Sequence, residues 1–234
     1  MEIQLTPRLK MIAMQVIPGS RVVDVGTDHG YIPIYLIQNK LSDFVIASDV
    51  NEGPIKSAKN NIERFKCNGH IETRLGSGLE TISPGEINTA IIAGMGGILI
   101  TELLDANVEI TKSIKNFILQ PMQAQNILRK HLVQNGFKIV KDLLVKEDNK
   151  IYEIIVATEG KQEVSNELYF DIGFYLNTNP KELAIEFIGN KINKEKRIIN
   201  QIESANMNNT VEIYETSKLK LIQLEEVLSC LELE

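Results

Sequence analysis

The chain has 234 residues, 43% of them hydrophobic, with 25 Lys and Arg against 31 Asp and Glu and a formal net charge of −6. That balance supplies a buried core, which excludes a globally disordered chain, and it excludes a protein that grips nucleic acid through overall basicity. Two distant cysteines, Cys67 and Cys230, exclude a disulfide framework and a cysteine-rich metal site; with no leader pattern and no run of eighteen apolar residues, a cytoplasmic chain without metal or membrane span is expected.

In chain order, LTPRLKMIAMQVI predicts a helix laid against a sheet or its mouth. From Arg21 onward, RVVDV, FVIASD, IETRL, NTAIIAG and NFILQ are short apolar runs of the kind buried on both faces of a parallel sheet. The segments between them carry helical spacing. Ile55, Ala58, Ile62 and Phe65 form one stripe, and Ile127, Leu128, His131 and Leu132 another, with Gly136 closing the second helix. FKIVKDLLV and IYEIIVATE, joined by EDNK, then read as an antiparallel hairpin. The predicted fold is therefore α/β, Rossmann-like, with a seven-stranded, mostly parallel sheet ending in an antiparallel hairpin. The seven-stranded class I methyltransferase sheet ends with such a reversed strand, whereas most NAD-binding doubly wound sheets end all-parallel.

Beyond Gly160 the texture changes. Leu183, Phe187, Ile188, Ile192, Ile199 and Ile202 keep helical spacing, ANMNNT interrupts it, and Tyr214, Leu221, Leu224, Leu228 and Leu231 form an a/d seam. Residues 1–160 are thus expected to be a cofactor-binding methyltransferase domain, and 161–234 a helical coiled-coil hairpin. The first part is near neutral, with 17 basic and 18 acidic residues; the second carries the excess, with 8 against 13.

The chemistry concentrates in DVGTDHGYIP. Gly26 and Gly30 allow a tight strand-to-helix turn and close approach of a ligand. A dinucleotide fingerprint would place a second glycine where Asp28 stands, and a carboxylate there repels a pyrophosphate. S-adenosylmethionine, with a sulfonium and an ammonium, tolerates it, and Asp24 at the strand end can accept from the ammonium. Asp49, nineteen residues beyond Gly30, stands where an acid accepts ribose hydroxyls; the plain alternative is helix capping, which Asn51 could also perform. In RLGSGLE, Ser77 and nearby backbone N–H groups either meet an adenine edge or form an ordinary glycine turn. IIAGMGG places Gly94, Met95, Gly96 and Gly97 at the reacting position without a side chain able to take a proton. Such a lining suits a ring nitrogen such as adenine N1, whose lone pair is already free, with Asp28 stabilising the growing positive charge. His29 is either an acid/base group or a local hydrogen-bonding residue. Tyr31 either stacks on a flipped base or simply opens its helix, and Arg8 either reaches a phosphate or covers a helix surface.

DVGTDHGYIP, NEGP, GSGLE, AGMGG, LQP, NGF and KIYEII, in that order over residues 1 to about 160, resemble the bacterial tRNA (adenine(22)-N1)-methyltransferase family. The resemblance implies methyl transfer from S-adenosylmethionine to N1 of an adenine in the tRNA D-arm. It implies Asp24, Gly26 and Gly30 at the methionine end, Asp49 at the ribose, Ser77 and Gly78 at the adenine, Gly94 to Gly97 as the wall between cofactor and target, and Thr27 and Val50 as further cofactor-binding residues. Arg8, Asp28, His29 and Tyr31 would face the substrate. The family commonly has an acid where this chain has Ser77, so a serine or backbone contact would take its place. The appendage helices resemble the family in architecture alone, and KINKEKR is expected to grip tRNA. The partner is then tRNA and the chain a monomer. The competing readings are an inactive cofactor-binding or partner module and a methyltransferase for a small molecule; an NAD oxidoreductase ranks last.

Overall fold

The computed structural model describes residues 2–205 and 211–233, which divide into two compact units, Met1–Glu163 and Val164–Glu234. In the first unit, α1 (Pro7–Ala13) precedes β1 (Arg21–Val25), α2 (Tyr31–Gln38), β2 (Phe44–Asp49), α3 (Glu52–Arg64) and β3 (Ile71–Leu75). A short 3-10 turn (Gly78–Thr81) leads to β4 (Thr89–Met95), α4 (Gly97–Ala106), α5 (Val108–Ser113), β5 (Asn116–Pro121), α6 (Gln125–Gln134), β6 (Phe137–Glu147) and β7 (Lys150–Glu159).

The described strands form one sheet in the order β3-β2-β1-β4-β5-β7-β6. Neighbours from β3 to β5 pair in parallel, and β7 runs antiparallel to both β5 and β6. The expected hairpin is present, and its second strand lies inside the sheet while its first forms the edge. The chain reverses over two residues, with Asp148 in the left-handed region at φ 54°. Central strands carry helices on both faces, so Val22, Val23, Ile91, Ile92, Ile118 and Leu119 are fully buried; each such side chain contributes about 1.5–3 kcal/mol of burial free energy. That explains why these strands read as unbroken apolar runs instead of alternating ones.

Helix α3 buries Ile55, Ala58 and Ile62 as the stripe predicts. Helix α6 departs from its stripe: Leu128 and Leu132 are buried, Ile127 faces solvent, and Arg129 takes the inner position. Its guanidinium donates at 2.8 Å to Asp142 on β6 and at 2.8 Å to Glu153 on β7. Three buried charges thereby bind helix to hairpin, an arrangement that is costly to break because the remaining charges lose their partner.

In the second unit, α7 (Leu168–Ile172) precedes the long helices α8 (Lys181–Ala205) and α9 (Val211–Leu233). Phe187, Ile188, Ile192 and Ile199 are buried on α8, and Leu224 and Leu231 on α9. Lys220 adds ion pairs to Asp171 at 2.9 Å and Glu195 at 3.5 Å. The expected Asn-rich turn at ANMNNT lies at residues 205–210, of which 206–210 are outside the described residues.

Candidate active site

All the chemistry-bearing motifs of the first unit meet at the carboxyl ends of β1, β2, β3 and β4. This is where the strand order reverses and a doubly wound sheet opens a crevice. Three glycines shape it. Gly26 leaves β1 at φ 76°, and a Cβ there would lie 2.5 Å from the Met95 methyl, so the Met95 side chain rests directly on the turn. Gly94, at φ 78°, sits at the irregularity where β4 shifts register against β5. A Cβ on Gly97 would meet the Ala124 carbonyl oxygen at 2.4 Å, so the β4–α4 and β5–α6 turns touch backbone to backbone.

Two cavities adjoin across Gly26. One, of about 280 Å³, is lined by Arg8, Asp24, Thr27, Asp28, His29, Tyr31 and Gly94 among others. The second, of about 220 Å³, is lined by Asp49, Val50, Ser77, Gly78, Met95, Leu99 and Leu103 among others. The first is mainly polar and charged, and the second mainly apolar with a carboxylate at one end. Of the residues singled out from sequence, Gly30, Gly96 and Gly97 are not among the residues lining either cavity. They act one layer back: Gly30 packs on Ala58 with 3.3 Å available to a Cβ, and Gly97 donates its N–H to Gln123 O at 2.8 Å.

Asp24 is the most perturbed acid of the site. Burial pushes its carboxyl from an ordinary 3.8 up to about 6; the neighbouring Thr27 hydroxyl opposes this, and the Asp49 carboxylate adds to it. Thr27 Oγ1 is itself buried and forms no hydrogen bond of good geometry. Asp49 Oδ1 accepts from the Asn51 N–H at 2.8 Å, and the residue lines the second cavity. Asn51 occupies the capping position of α3 but makes no side-chain cap bond.

Asp28 adopts a left-handed backbone at φ 48°, and its carboxylate is 70% exposed at the mouth. His29 stacks on Tyr31 with ring centroids 5.2 Å apart. Arg8 also faces this cavity, though its guanidinium is engaged. It donates to Gln120 Oε1 at 2.5 Å, lies 3.7 Å from Glu147 and stands 5.1 Å over the Tyr152 ring. Glu147 in turn stays below the usual carboxylate range: burial works against this and is outweighed by the Thr6 hydroxyl, the Arg8 N–H and the Arg8 guanidinium.

Sequence reasoning missed Gln120, Leu99, Leu103 and Ser57. Gln120 closes the apolar run NFILQ, and a polar side chain at the end of a strand expected to be buried is the signal that it holds something; it is fully buried. Leu99 and Leu103 share a face of α4 by their four-residue spacing. Among the described residues, no group of three or more His, Cys, Asp or Glu is placed to hold a metal ion, and no helix is long and apolar enough to cross a membrane.

Sheet order, reversed β7 and the glycine-lined crevice together define a Rossmann-like methyltransferase fold, and residues 5–155 match the family described as methyltransferase domain. A Bacillus subtilis protein named tRNA (adenine(22)-N(1))-methyltransferase is 35% identical over 164 residues, 70% of this chain and 69% of that one. This chain belongs to the tRNA (adenine(22)-N1)-methyltransferase family. A Streptococcus pneumoniae structure solved with S-adenosyl-L-methionine superposes with a TM-score of 0.82 at 30% identity, covering 96% of this chain and 100% of the other. M. capricolum TrmK, solved with S-adenosyl-homocysteine, gives 0.80 at 27% identity over 96% and 98%.

Proposed function

We propose that the protein is an S-adenosylmethionine-dependent methyltransferase acting on N1 of adenine 22 in tRNA, working as a cytoplasmic monomer. The single observation that carries the reading is Asp24: a carboxylate buried to 4% exposure, pushed up to about 6 by that burial, with no basic partner among the described residues. Such a group calls for a cationic ligand.

The residues fit the cofactor on three counts. Asp24 would take its ammonium, and the buried Thr27 Oγ1 beside it would gain a well-formed hydrogen bond. The Asp49 carboxylate, which lines the second cavity, would accept a ribose hydroxyl. Val50, Leu99, Leu103 and Met95 would cover the faces of an adenine whose edge meets Ser77 and Gly78. When bound, the cofactor supplies a methyl group made electrophilic by its sulfonium.

The chain's own part is placement and charge. Gly94 and Met95 present a wall without a side-chain proton acceptor, which matches a target nitrogen that has no proton to lose. Tyr31, 39% exposed and stacked on His29, offers a face to an unstacked base. Asp28 supplies a carboxylate where the base gains positive charge. Arg8, fixed by Gln120 and Glu147, would set the floor and orientation of this pocket more than neutralise a phosphate.

On α8, Lys194 and Arg197 project into solvent, whereas Lys196 pairs with Glu225 at 2.9 Å and Lys191 lies over Phe187. We assign tRNA phosphate contacts to the first two. The test is incubation with tritiated S-adenosylmethionine and unmodified tRNA, then digestion and identification of the labelled nucleoside. 1-Methyladenosine is expected. Label on a pyrimidine, or none on tRNA, refutes the reading.

A further inference from the structure

Helix α3 reaches back to the turn that carries Asp28. His29 Nδ1 lies 2.6 Å from Ser57 Oγ, and His29 Nε2 lies 3.4 Å from Asp28 Oδ2. Asn61 Nδ2 donates to the His29 carbonyl at 2.9 Å. Ser57 and Asn61 stand four residues apart, hence on one face of the helix, and between them Ala58 closes on Gly30. The turn is therefore docked on α3 by three contacts, and one of them ends on the imidazole.

These contacts have a direction. A neutral imidazole carries a single N–H, on one nitrogen or the other. With the proton on Nδ1, the Nε2 lone pair would point at the Asp28 carboxylate, an arrangement of like charge. With it on Nε2, the N–H faces the carboxylate and Nδ1 accepts from the Ser57 hydroxyl. The Asp28 carboxylate, which only accepts, selects the second arrangement, in which the Ser57 hydroxyl, able to donate or to accept, donates to Nδ1. It is needed because Asp28 is poorly held otherwise: its side chain is mostly exposed and its backbone is left-handed, a conformation that costs a non-glycine residue on the order of 1 kcal/mol.

We propose that Ser57 is a positioning residue whose hydroxyl anchors the His29 ring through Nδ1, so that the Nε2–H, on the tautomer the Asp28 carboxylate selects, holds that carboxylate at the rim of the substrate cavity. The inference rests on the reading that Asp28 faces the methylated base. Nothing moves covalently in this chain of contacts; the serine orients, the histidine transmits, and the carboxylate touches the substrate.

Two readouts test it. Steady-state methylation of unmodified tRNA is measured for Ser57→Ala, Ser57→Thr, His29→Ala and the Ser57→Ala/His29→Ala pair, with cofactor affinity measured by calorimetry. Ser57→Ala is expected to lower kcat roughly tenfold with cofactor Kd within about twofold of wild type, Ser57→Thr to restore most of it, and Ser57→Ala to add nothing once His29 is gone. Nitrogen NMR of the three histidines supplies the second readout, since only three ring systems need assignment. His29 is expected to show the Nε2–H form in wild type, with its Nδ1 resonance shifted in Ser57→Ala by loss of the hydroxyl's hydrogen bond. An unchanged kcat, a full additional loss in the His29→Ala background, or an unshifted Nδ1 resonance overturns the proposal. Should wild type transfer no methyl group to tRNA, the functional reading fails, while the Nδ1 resonance still decides whether Ser57 anchors His29.

Discussion

Replacing Asp24 by Asn separates stability from binding. The carboxyl is pushed from 3.8 to about 6 mainly by burial; at about 1.4 kcal/mol per tenfold change in the protonation equilibrium, the folded protein without cofactor gives up about 3 kcal/mol to keep it ionised at neutral pH. The sign follows from the folded value lying above the unfolded one. This group's favourable contribution is complete below pH 3.8 and is lost as pH rises through about 6. Asn has the same shape, carries no charge, and can donate to the buried Thr27 Oγ1. Urea unfolding without cofactor should therefore show Asp24→Asn more stable than wild type by about 1–3 kcal/mol at pH 7.5, with the gap closing toward pH 4. Comparing the two proteins at each pH cancels the other carboxyl groups. Cofactor binding should move the opposite way, weakened by loss of the ammonium's counter-charge. A variant less stable than wild type at pH 7.5, or a gap that does not change with pH, would refute the account of Asp24 as an anion awaiting its cation.

Asp49→Ala should weaken cofactor binding with kcat at saturation little changed, whereas Asp28→Ala should lower kcat by roughly 10- to 100-fold and leave cofactor Kd near wild type; calorimetry and initial rates separate the two. Gly97→Ala puts a methyl group 2.4 Å from the Ala124 carbonyl oxygen, so a loss of about 1–3 kcal/mol is expected in chemical denaturation. The Lys194→Glu/Arg197→Glu pair should weaken tRNA binding and flatten its dependence on log salt by roughly one to two units, with cofactor binding intact; an unchanged slope removes α8 from the tRNA interface.

The parallel strands β1, β2, β4 and β5 were legible because burial on both faces leaves a strand no reason to alternate, and each stands out as an apolar run; β3, expected to be buried in the same way, is instead the edge strand, with Ile71 alone buried. The hairpin was legible from its short polar link. What the sequence did not disclose was the insertion of β7 between β5 and β6, which depends on the pairing of strands far apart in the chain. Arg129 was equally hidden: a helix pattern marks its position as inner, its charge argues for outer, and the deciding partners lie 13 and 24 residues away. At the site, residues that act through motif spacing, such as Asp24, Gly26 and Asp49, were visible. Residues that act through packing were not. Arg8 looked available for a phosphate until Gln120 and Glu147, brought in from β5 and β6, closed on it, and Ser57 gained meaning only where α3 crosses the first turn.

The Arg8 N–H reaches Glu147 across 139 residues of chain, and β7 occupies a slot between two strands that are both made before it. A ribosome delivers these parts in an unhelpful order. When β5 emerges its outer edge has no partner, and β6, next in line, cannot supply one because its place is one strand further out. Until residue 159 has cleared the exit tunnel, FILQ remains an open apolar edge and the N-terminal helix lacks the seated β6 that carries Glu147. Nascent chains stalled short of β7 should therefore be the form most dependent on chaperones, and the substrate cavity is the last part of the first unit to close.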